Sequence, residues 1–297
     1  MPEDLSQNRI LLDLLEQIDD SDISSSRRVI SEIIRVINDK NSTAKDLKDI
    51  IELDPSLTIR VLRFANSAYY GRTREVSEIQ EAIIWIGFDA LKEIALNQKV
   101  SELFEKNTTV ENYSRLDLWK HSVAVAICSK LIFRREFGRK GDSIYAAGLL
   151  HNIGILIEDQ FLHHQFEEIL QRMLERNQNI SEVERELLGF THSELAGIIA
   201  KRWALPDELV FSVGAHENPV IKEDKVNMQS AYTLYISDFV CQRRQLGFQD
   251  MPYSDNRIFH HCLRELQIKE RALDFIMAEV EHEITTLEKQ GWFQEDE

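Results

Sequence analysis

The chain has 297 residues, of which 43% are hydrophobic and 29% are charged, and a chain of this size can bury a substantial core. Its net charge of −16, from 35 basic and 51 acidic side chains, repels phosphate backbones and argues against general nucleic-acid binding. No stretch approaches 18 uninterrupted apolar residues, and the acidic start of the chain lacks the apolar segment of a signal peptide, so we expect no membrane span and no secretion signal.

Glycine and proline are scarce, with 11 and 5 residues, whereas residues that favour helices are abundant. The composition therefore predicts an all-α fold. Three cysteines, Cys128, Cys241 and Cys262, lie too far apart for a disulfide framework or a zinc knuckle. They indicate buried thiols in a reducing compartment, so we expect a cytoplasmic protein.

Apolar residues recur at helical spacing in the first third of the chain. They predict helices near residues 10–18, 29–37, 43–52, 55–64, 79–86 and 89–95. Asp54 can cap the fourth of these helices, and Pro55 suits its first position. Residues 66–71 are typical of a turn between helices.

The rest of the chain is also predicted to be helical, without convincing strand alternation. The predicted helices lie near residues 118–133, 144–157, 161–176, 192–203, 207–216 and 228–241, with two more within 256–289. Ser181 with Glu184, and Thr191 with Glu194, both have the spacing of a capping box. A loop near residue 107 divides the chain. The predicted units are an N-terminal lobe, 1–106, a helical core, 107–245, and a C-terminal helical extension, 246–297.

Isolated histidines and one aspartate on predicted helices form the candidate site. They are His121, His151, His192, His216 and Asp238. Imidazole and carboxylate groups from several helices are suitable ligands for zinc, iron or manganese. The alternative is a polar core without metal, in which His151 and Asn152 donate to neighbouring carbonyls and Asp238 accepts from His121. Because the spacings are long, only the fold can bring these residues together.

Several strings in the chain carry a resemblance to a known family. They are Leu53–Leu57, Arg63–Gly71, Ala82–Gly87, Leu149–Gly154, Thr191–Gly197 and Trp203–Pro206. In this order they resemble the HDOD family, the HD-related output domain of the HD superfamily of metal-dependent phosphohydrolases, over about residues 10–240. The resemblance implies an N-terminal helical lobe packed on a modified HD core. It also implies a regulatory output module of bacterial signalling, since such proteins generally lack a complete catalytic set.

The resemblance assigns a role to each residue of the candidate site. The metal ligands it implies are His121, His151, Asp238, and, in two-metal members, residues at or near His192 and His216. Asn152 stands where the family's catalytic members have the aspartate of a His-Asp pair. A neutral amide is a weaker ligand than a carboxylate and cannot bridge two ions. We therefore expect at most one divalent ion, Fe, Mn or Zn, and a degenerate site.

The resemblance leaves two functions open. The leading one is a non-enzymatic signalling scaffold that binds other signalling proteins. The alternative is a metal-dependent phosphohydrolase acting on a nucleotide or cyclic dinucleotide. Cyclic-di-GMP hydrolysis is disfavoured, because Ile155 replaces the lysine of the related phosphodiesterases and residues 215–224 lack their Gly-Tyr-Pro signature.

Overall fold

The computed structural model describes residues 5, 8–66, 76–105, 109–110, 113–221, 228–249, 256–290 and 292–293. Within these ranges the predicted all-α fold is confirmed. The one departure in the described chain is a small antiparallel hairpin of two-residue strands, β1 (Thr109–Val110) and β2 (Tyr113–Ser114). Its length explains why no strand alternation shows in the sequence.

Six helices form the N-terminal part. They are α1 (Arg9–Asp19), α2 (Asp22–Asn38), α3 (Ala44–Glu52), α4 (Pro55–Ala65), α5 (Ile79–Ile86) and α6 (Phe88–Ser101). The predicted start of α4 is confirmed, since the Asp54 side chain accepts from the Leu57 amide at 3.1 Å and Pro55 is the first helical residue. Of the predicted turn at 66–71, only Asn66 lies inside the described residues. Its side-chain amide bonds both backbone groups of Val76 and so joins the ends of α4 and the segment before α5.

Eight further helices follow between residues 115 and 243. They are α7 (Arg115–Phe137), α8 (Asp142–Leu150), α9 (Ile153–Phe161), α10 (His163–Arg176), α11 (Ile180–Leu187), α12 (His192–Arg202), α13 (Asp207–Gly214) and α14 (Met228–Arg243). Helix α7 is buried along most of its length and packs against α8 and α14. Its burial on several sides explains its almost continuous apolar sequence.

The single helix predicted over 144–157 is wrong, because the chain breaks between α8 and α9. Asn152 leaves the helical conformation, with φ −97° and ψ 18°. Apolar residues continue on both sides of the break, so the periodicity does not reveal it. Gly154 then allows α9 to approach α12 closely, since a Cβ at this position would lie 2.1 Å from the backbone oxygen of His192. The break therefore brings the chain after His151 against the start of α12.

The two helices predicted within 256–289 are confirmed as α15 (Arg257–Leu266) and α16 (Glu270–Lys289). α15 packs on α14, and α16 packs on α7. Beyond α16, the Trp292 ring meets Phe64 of α4 edge to face, with 5.2 Å between ring centroids. The last two helices therefore contact α14 and α7, and the residue pair Trp292–Phe64 adds a contact with α4. Among the described residues, no helix combines the length and the apolar character that crossing a membrane requires.

Candidate metal centre

Three of the predicted ligands meet at one point in the core. His121 comes from α7, Asp238 from α14, and His151 from the turn between α8 and α9. Their candidate donor atoms all lie within 4.8 Å of one another. Nε2 of His121 is 2.8 Å from Oδ1 of Asp238, and Nε2 of His151 is 3.8 Å from the same oxygen. The two histidines are 0% exposed and the aspartate is 3% exposed, so the group is enclosed by protein.

The outer nitrogen of each of these histidines is held by a backbone carbonyl. Nδ1 of His121 lies 3.1 Å from the Leu246 oxygen, and Nδ1 of His151 lies 2.7 Å from the Gly148 oxygen. A carbonyl only accepts hydrogen bonds, so each Nδ1 carries the proton and each Nε2 lone pair points inward in the neutral ring. Ligating histidines in metal sites are oriented in the same way by backbone carbonyls.

His121 lies between two acceptors. A neutral imidazole has one N–H, and in His121 this N–H, on Nδ1, already donates to the Leu246 carbonyl. The contact between Nε2 and the Asp238 carboxylate therefore requires a second proton on the ring or a cation that both atoms bind. The predicted contact between His121 and Asp238 is present, and it is compatible with either interpretation.

A loop that sequence reasoning missed holds the His121 ring. Gly247, with φ +87°, lies so close to α7 that a Cβ would be 2.3 Å from the Asp117 oxygen and 2.6 Å from the His121 amide nitrogen. The Phe248 amide donates to the same Asp117 oxygen at 3.1 Å. This close passage lets Leu246 reach the His121 ring. The one sequence signal is an isolated glycine after α14.

The other two predicted histidines lie beside the group of three. His216 packs its ring 5.0 Å from that of His151, and the His192 ring lies 5.3 Å from that of His216. Nδ1 of His216 donates to the Val213 oxygen at 2.7 Å, and its buried Nε2 has no hydrogen-bond partner within the described chain. The His121 and His151 rings are 5.4 Å apart, so the four rings form a row with 5.0–5.4 Å between neighbouring centroids.

The prediction that all five residues lie on helices is wrong for two of them. His151 follows the end of α8, and His216 lies two residues beyond the end of α13. Each ring donates to a carbonyl three residues earlier, Gly148 for His151 and Val213 for His216, and so caps the helix that it has just left. These capping hydrogen bonds explain why both rings have a fixed orientation although their residues lie outside the helices.

The capping box predicted for Ser181 and Glu184 is also wrong. Asn179 caps α11, and the buried Glu184 instead accepts from the His192 amide at 2.8 Å and from His192 Nδ1 at 2.8 Å. The box formed by Thr191 and Glu194 is confirmed. Glu184 therefore positions the His192 ring, a role that its spacing along the chain does not reveal.

Asn152 lies directly after His151 and brings a buried amide next to the site. It is 1% exposed, and neither its amide nitrogen nor its oxygen has a hydrogen-bond partner among the described residues. The interpretation in which Asn152 donates to a neighbouring carbonyl is therefore wrong. A buried amide without partners costs free energy, so this position has capacity for a ligand or a water molecule.

Burial sets the protonation state of the site. It lowers the pKa of His151 to about 4, although the nearby Asp238 charge opposes this shift. Burial, with the neighbouring His151 and His192, also holds the pKa of His216 well below its usual range. For Asp238, burial alone would raise the pKa, but the hydrogen bond from His121 and the adjacent histidines hold it below its ordinary value. At neutral pH His151 and His216 are thus neutral and Asp238 is ionised, which is the state in which these groups bind a metal ion.

An all-helical fold around two histidines and an aspartate is the arrangement expected of the HD superfamily. The family model for the HDOD domain matches residues 23–219, about two thirds of the sequence. The chain belongs to the HDOD family.

Two curated relatives are longer proteins of undescribed function. An uncharacterized protein of Treponema pallidum (strain Nichols) is 22% identical over 213 residues, which cover 71% of this chain and 40% of the relative. The uncharacterized protein YuxH of Bacillus subtilis (strain 168) is 26% identical over 168 residues, covering 57% of this chain and 38% of YuxH. The matched region thus spans about two fifths of each relative.

Solved structures share the fold. An HDOD domain protein of unknown function from Geobacter sulfurreducens has a TM-score of 0.73 at 26% identity, with 87% of this chain and 89% of that chain covered. A candidate signal transduction protein from Marinobacter aquaeolei VT8 has a TM-score of 0.72 at 21% identity, covering 89% and 58%. A candidate phosphohydrolase from Shewanella amazonensis SB2B has a TM-score of 0.64 at 23% identity, covering 94% and 96%. The last two likenesses concern the fold alone.

Proposed function

We propose that this HDOD protein is a signal-transduction output module in which the HD-type site holds one divalent metal ion as a structural element and does not hydrolyse phosphoesters. The observation that carries the proposal is the enclosure of His121, His151 and Asp238, each at most 3% exposed, next to an amide at position 152. A hydrolytic metal site keeps a coordination position open to water and substrate, whereas a structural site is closed by protein.

The donor set fits a transition-metal ion. His121 and His151 would bind through Nε2 and Asp238 through its carboxylate, and such mixed nitrogen and oxygen ligands suit zinc, iron or manganese. When bound, the ion would supply the positive charge that lies between the His121 lone pair and the Asp238 carboxylate. His216, whose ring adjoins that of His151, is the further proposed ligand, and His192 remains a proposed neighbour of the site.

Asn152 supports the absence of hydrolysis. Its amide oxygen carries no full charge and cannot bridge two ions as an aspartate does. A second ion would therefore lack a ligand on the side of α9. The residues that remain can hold an ion in place, but they do not form the paired centre that activates water for attack on a phosphoester.

An interaction role is supported by two features. The curated relatives are much longer than the matched region, as expected of a module joined to other segments. Helices α4 and α5 also expose large apolar side chains, with Ile59 at 66% and Ile84 at 76%, as expected of a protein that works by association. We propose that its partners are other signalling proteins. The buried free thiols support a cytoplasmic location.

We further propose the division into an N-terminal lobe (1–106), a core (107–245) and a C-terminal extension (246–297). The residues of the candidate site belong to the core. Leu246, which orients the His121 ring, would then be the first residue of the extension, so the extension contributes to the support of the site.

The alternative, a metal-dependent phosphohydrolase acting on a nucleotide or cyclic dinucleotide, is favoured by one observation. The site has the protonation state that a catalytic metal centre also needs, with a neutral His151 beside an ionised Asp238. The two functions differ in turnover and not in metal binding, so an activity assay separates them.

The test is a phosphoester panel assayed with Zn²⁺, Fe²⁺ and Mn²⁺, together with elemental analysis of the purified protein. We expect about one equivalent of a transition metal per chain and no turnover above background. His151→Ala should remove the metal, whereas His164→Ala, at a side chain that is 96% exposed, should not. Turnover that is present in the wild type and lost in His151→Ala would establish the alternative.

A further inference from the structure

The small hairpin packs against the loop that orients His121. Tyr113 of β2 is 1% exposed, and its ring meets that of Phe248 edge to face, with 5.3 Å between centroids and 89° between planes. Phe248 follows shortly after Leu246, whose carbonyl accepts from His121 Nδ1. The ring contact therefore joins the segment before α7 to the loop after α14.

Two further contacts fix the Tyr113 ring in place. The ring also packs on Phe166 of α10, with 4.9 Å between centroids. Its hydroxyl donates to Oδ2 of Asp159 at 3.2 Å, and Nε of Arg115 donates to the same oxygen at 2.5 Å. Asp159 and Arg115 are at most 3% exposed, so this ion pair is enclosed by protein. A ring held through both its hydroxyl and its faces has little freedom to move, and it gives Phe248 a fixed support.

Backbone contacts carry this support from Phe248 to the His121 ring. The Phe248 amide donates to the Asp117 oxygen at 3.1 Å, about one helical turn before His121 on α7. Gly247 lies against the His121 amide, where a Cβ would be 2.6 Å from the nitrogen. The loop thus contacts α7 through its backbone and the hairpin through the Phe248 ring. Without the second contact, the Leu246 carbonyl is free to move away from Nδ1.

We propose that Tyr113 is a positioning residue of the metal centre, which acts through the Phe248 ring on the orientation of His121, so that metal affinity depends on the packing of the hairpin. The inference rests on the proposed function and adds a means of regulating its metal site. The hairpin, 109–114, lies just after the proposed N-terminal lobe, so a partner that moves this lobe against the core would act on the metal through Tyr113. Because coupling between two sites is reciprocal, a bound ion would in turn stabilise the packed hairpin.

Tyr113→Leu tests the inference without any metal. In nitrogen-15 spectra of metal-free protein with labelled histidines, Nδ1–H of His121 should give a slowly exchanging signal, assigned by its absence from His121→Gln, because its bond to Leu246 is buried. Tyr113→Leu should lose this signal through faster exchange, whereas Tyr113→Phe keeps the ring and should retain it. The corresponding signals of His151 and His216 should persist and serve as internal controls.

Phe133→Leu is the matched control. Phe133 is a buried aromatic residue on α7, and its ring packs on Phe137 with 5.4 Å between centroids. It lies twelve residues beyond His121, roughly 18 Å along the helix axis. The control removes a buried ring, as Tyr113→Leu does, so it should also lower stability in urea unfolding. It should leave the His121 signal unchanged.

Zinc titration by calorimetry measures the consequence for the proposed metal site. Tyr113→Leu should bind zinc at least about tenfold more weakly than the wild type, as expected when a ligand histidine loses its orientation. Tyr113→Phe and Phe133→Leu should bind zinc as the wild type does. Phe248→Leu removes the other ring of the same contact and should act like Tyr113→Leu, and the losses should not add in the double variant.

The two measurements separate this inference from the proposed function. If the wild type binds no zinc, the proposed function fails, and the His121 signal alone decides the inference. The inference is overturned if the wild type lacks that signal, if Tyr113→Leu keeps it, or if Tyr113→Leu binds zinc as tightly as a wild type that binds it. An equal loss of the signal in Phe133→Leu would also overturn it, because a general loss of stability would then explain the effect.

Discussion

At the scale of single residues, the chemistry of the site depends on what lies between His121 and Asp238. The Leu246 carbonyl accepts a hydrogen bond from the one N–H of a neutral His121 ring, and the Asp238 carboxylate faces the other nitrogen at 2.8 Å. Two acceptors on one imidazole are satisfied by a second proton or by a bound cation. Burial lowers the pKa of His151 to about 4, so its ring stays neutral and its inward lone pair is available as a ligand. This available ligand favours a bound cation over a second proton.

Asn152→Asp tests the residue that separates this site from a catalytic one. The new carboxylate should raise zinc affinity at least about tenfold, since it adds an anionic ligand beside His151. Without metal it should destabilise the protein by at least about 2 kcal/mol, because the position is 1% exposed and no described residue donates a hydrogen bond to it. Calorimetric titration with zinc and urea unfolding in a chelator measure the two effects.

Asn41→Asp is the matched control, since it adds the same charge at an exposed position far along the chain. It should change neither zinc affinity nor stability noticeably. If Asn152→Asp also left zinc affinity unchanged, the residues around it would not be aligned for a metal ion, and the proposed role of the site would be wrong.

At the scale of elements, the site is assembled from helix ends and one loop more than from helix faces. His151 and His216 cap the helices that precede them, and Glu184 fixes His192 at the first position of α12. The loop after α14 crosses the start of α7 at Gly247, where it brings Leu246 to the His121 ring. These contacts determine the orientation of the rings, and orientation decides whether lone pairs converge.

Gly247→Ala tests the contribution of this loop. A methyl group there would lie 2.3 Å from the Asp117 oxygen, so the loop must move away from α7. We expect a loss of about 1–3 kcal/mol in the free energy of unfolding from the steric clash. Zinc affinity should also fall by about 10–100-fold, because Leu246 no longer orients the ligand His121. Urea unfolding and zinc titration report the two quantities separately.

Gly138→Ala provides the control for backbone strain. Gly138 ends α7 with φ +62°, and a Cβ there would meet nothing within 4 Å. This variant should lose about 1–2 kcal/mol of stability from the left-handed conformation alone. Its zinc affinity should remain that of the wild type. Equal effects of the two variants on zinc binding would show that the loop does not position His121.

At the scale of the whole molecule, the sequence predicts the helices well and the site only through its family pattern. Apolar periodicity locates most helices, including α7 and α14, because each buries a stripe or more of its surface. It misses the break at His151 and Asn152, where apolar residues continue on both sides. The spacing of Ser181 and Glu184 is that of a cap, but tertiary contact with His192 determines the actual role of Glu184.

The assembly of the site could not be derived from local patterns, since its members are separated by many residues and meet only after folding. The motif strings indicate which residues belong together. The contacts that orient them, from Leu246, Gly148 and Val213, are backbone carbonyls that carry no sequence signature.

Anomalous diffraction at the zinc edge, from crystals grown with zinc, tests most directly whether His121, His151 and Asp238 hold one metal ion. We expect an anomalous peak within bonding distance of His121 Nε2, His151 Nε2 and the Asp238 carboxylate, enclosed by protein and without a second zinc beside Asn152. No zinc peak at these residues, with Nε2 of His121 bonded directly to Asp238 as an imidazolium, would contradict it. Two zinc ions bridged at this position would also contradict it, since they would form a paired centre of the hydrolytic kind.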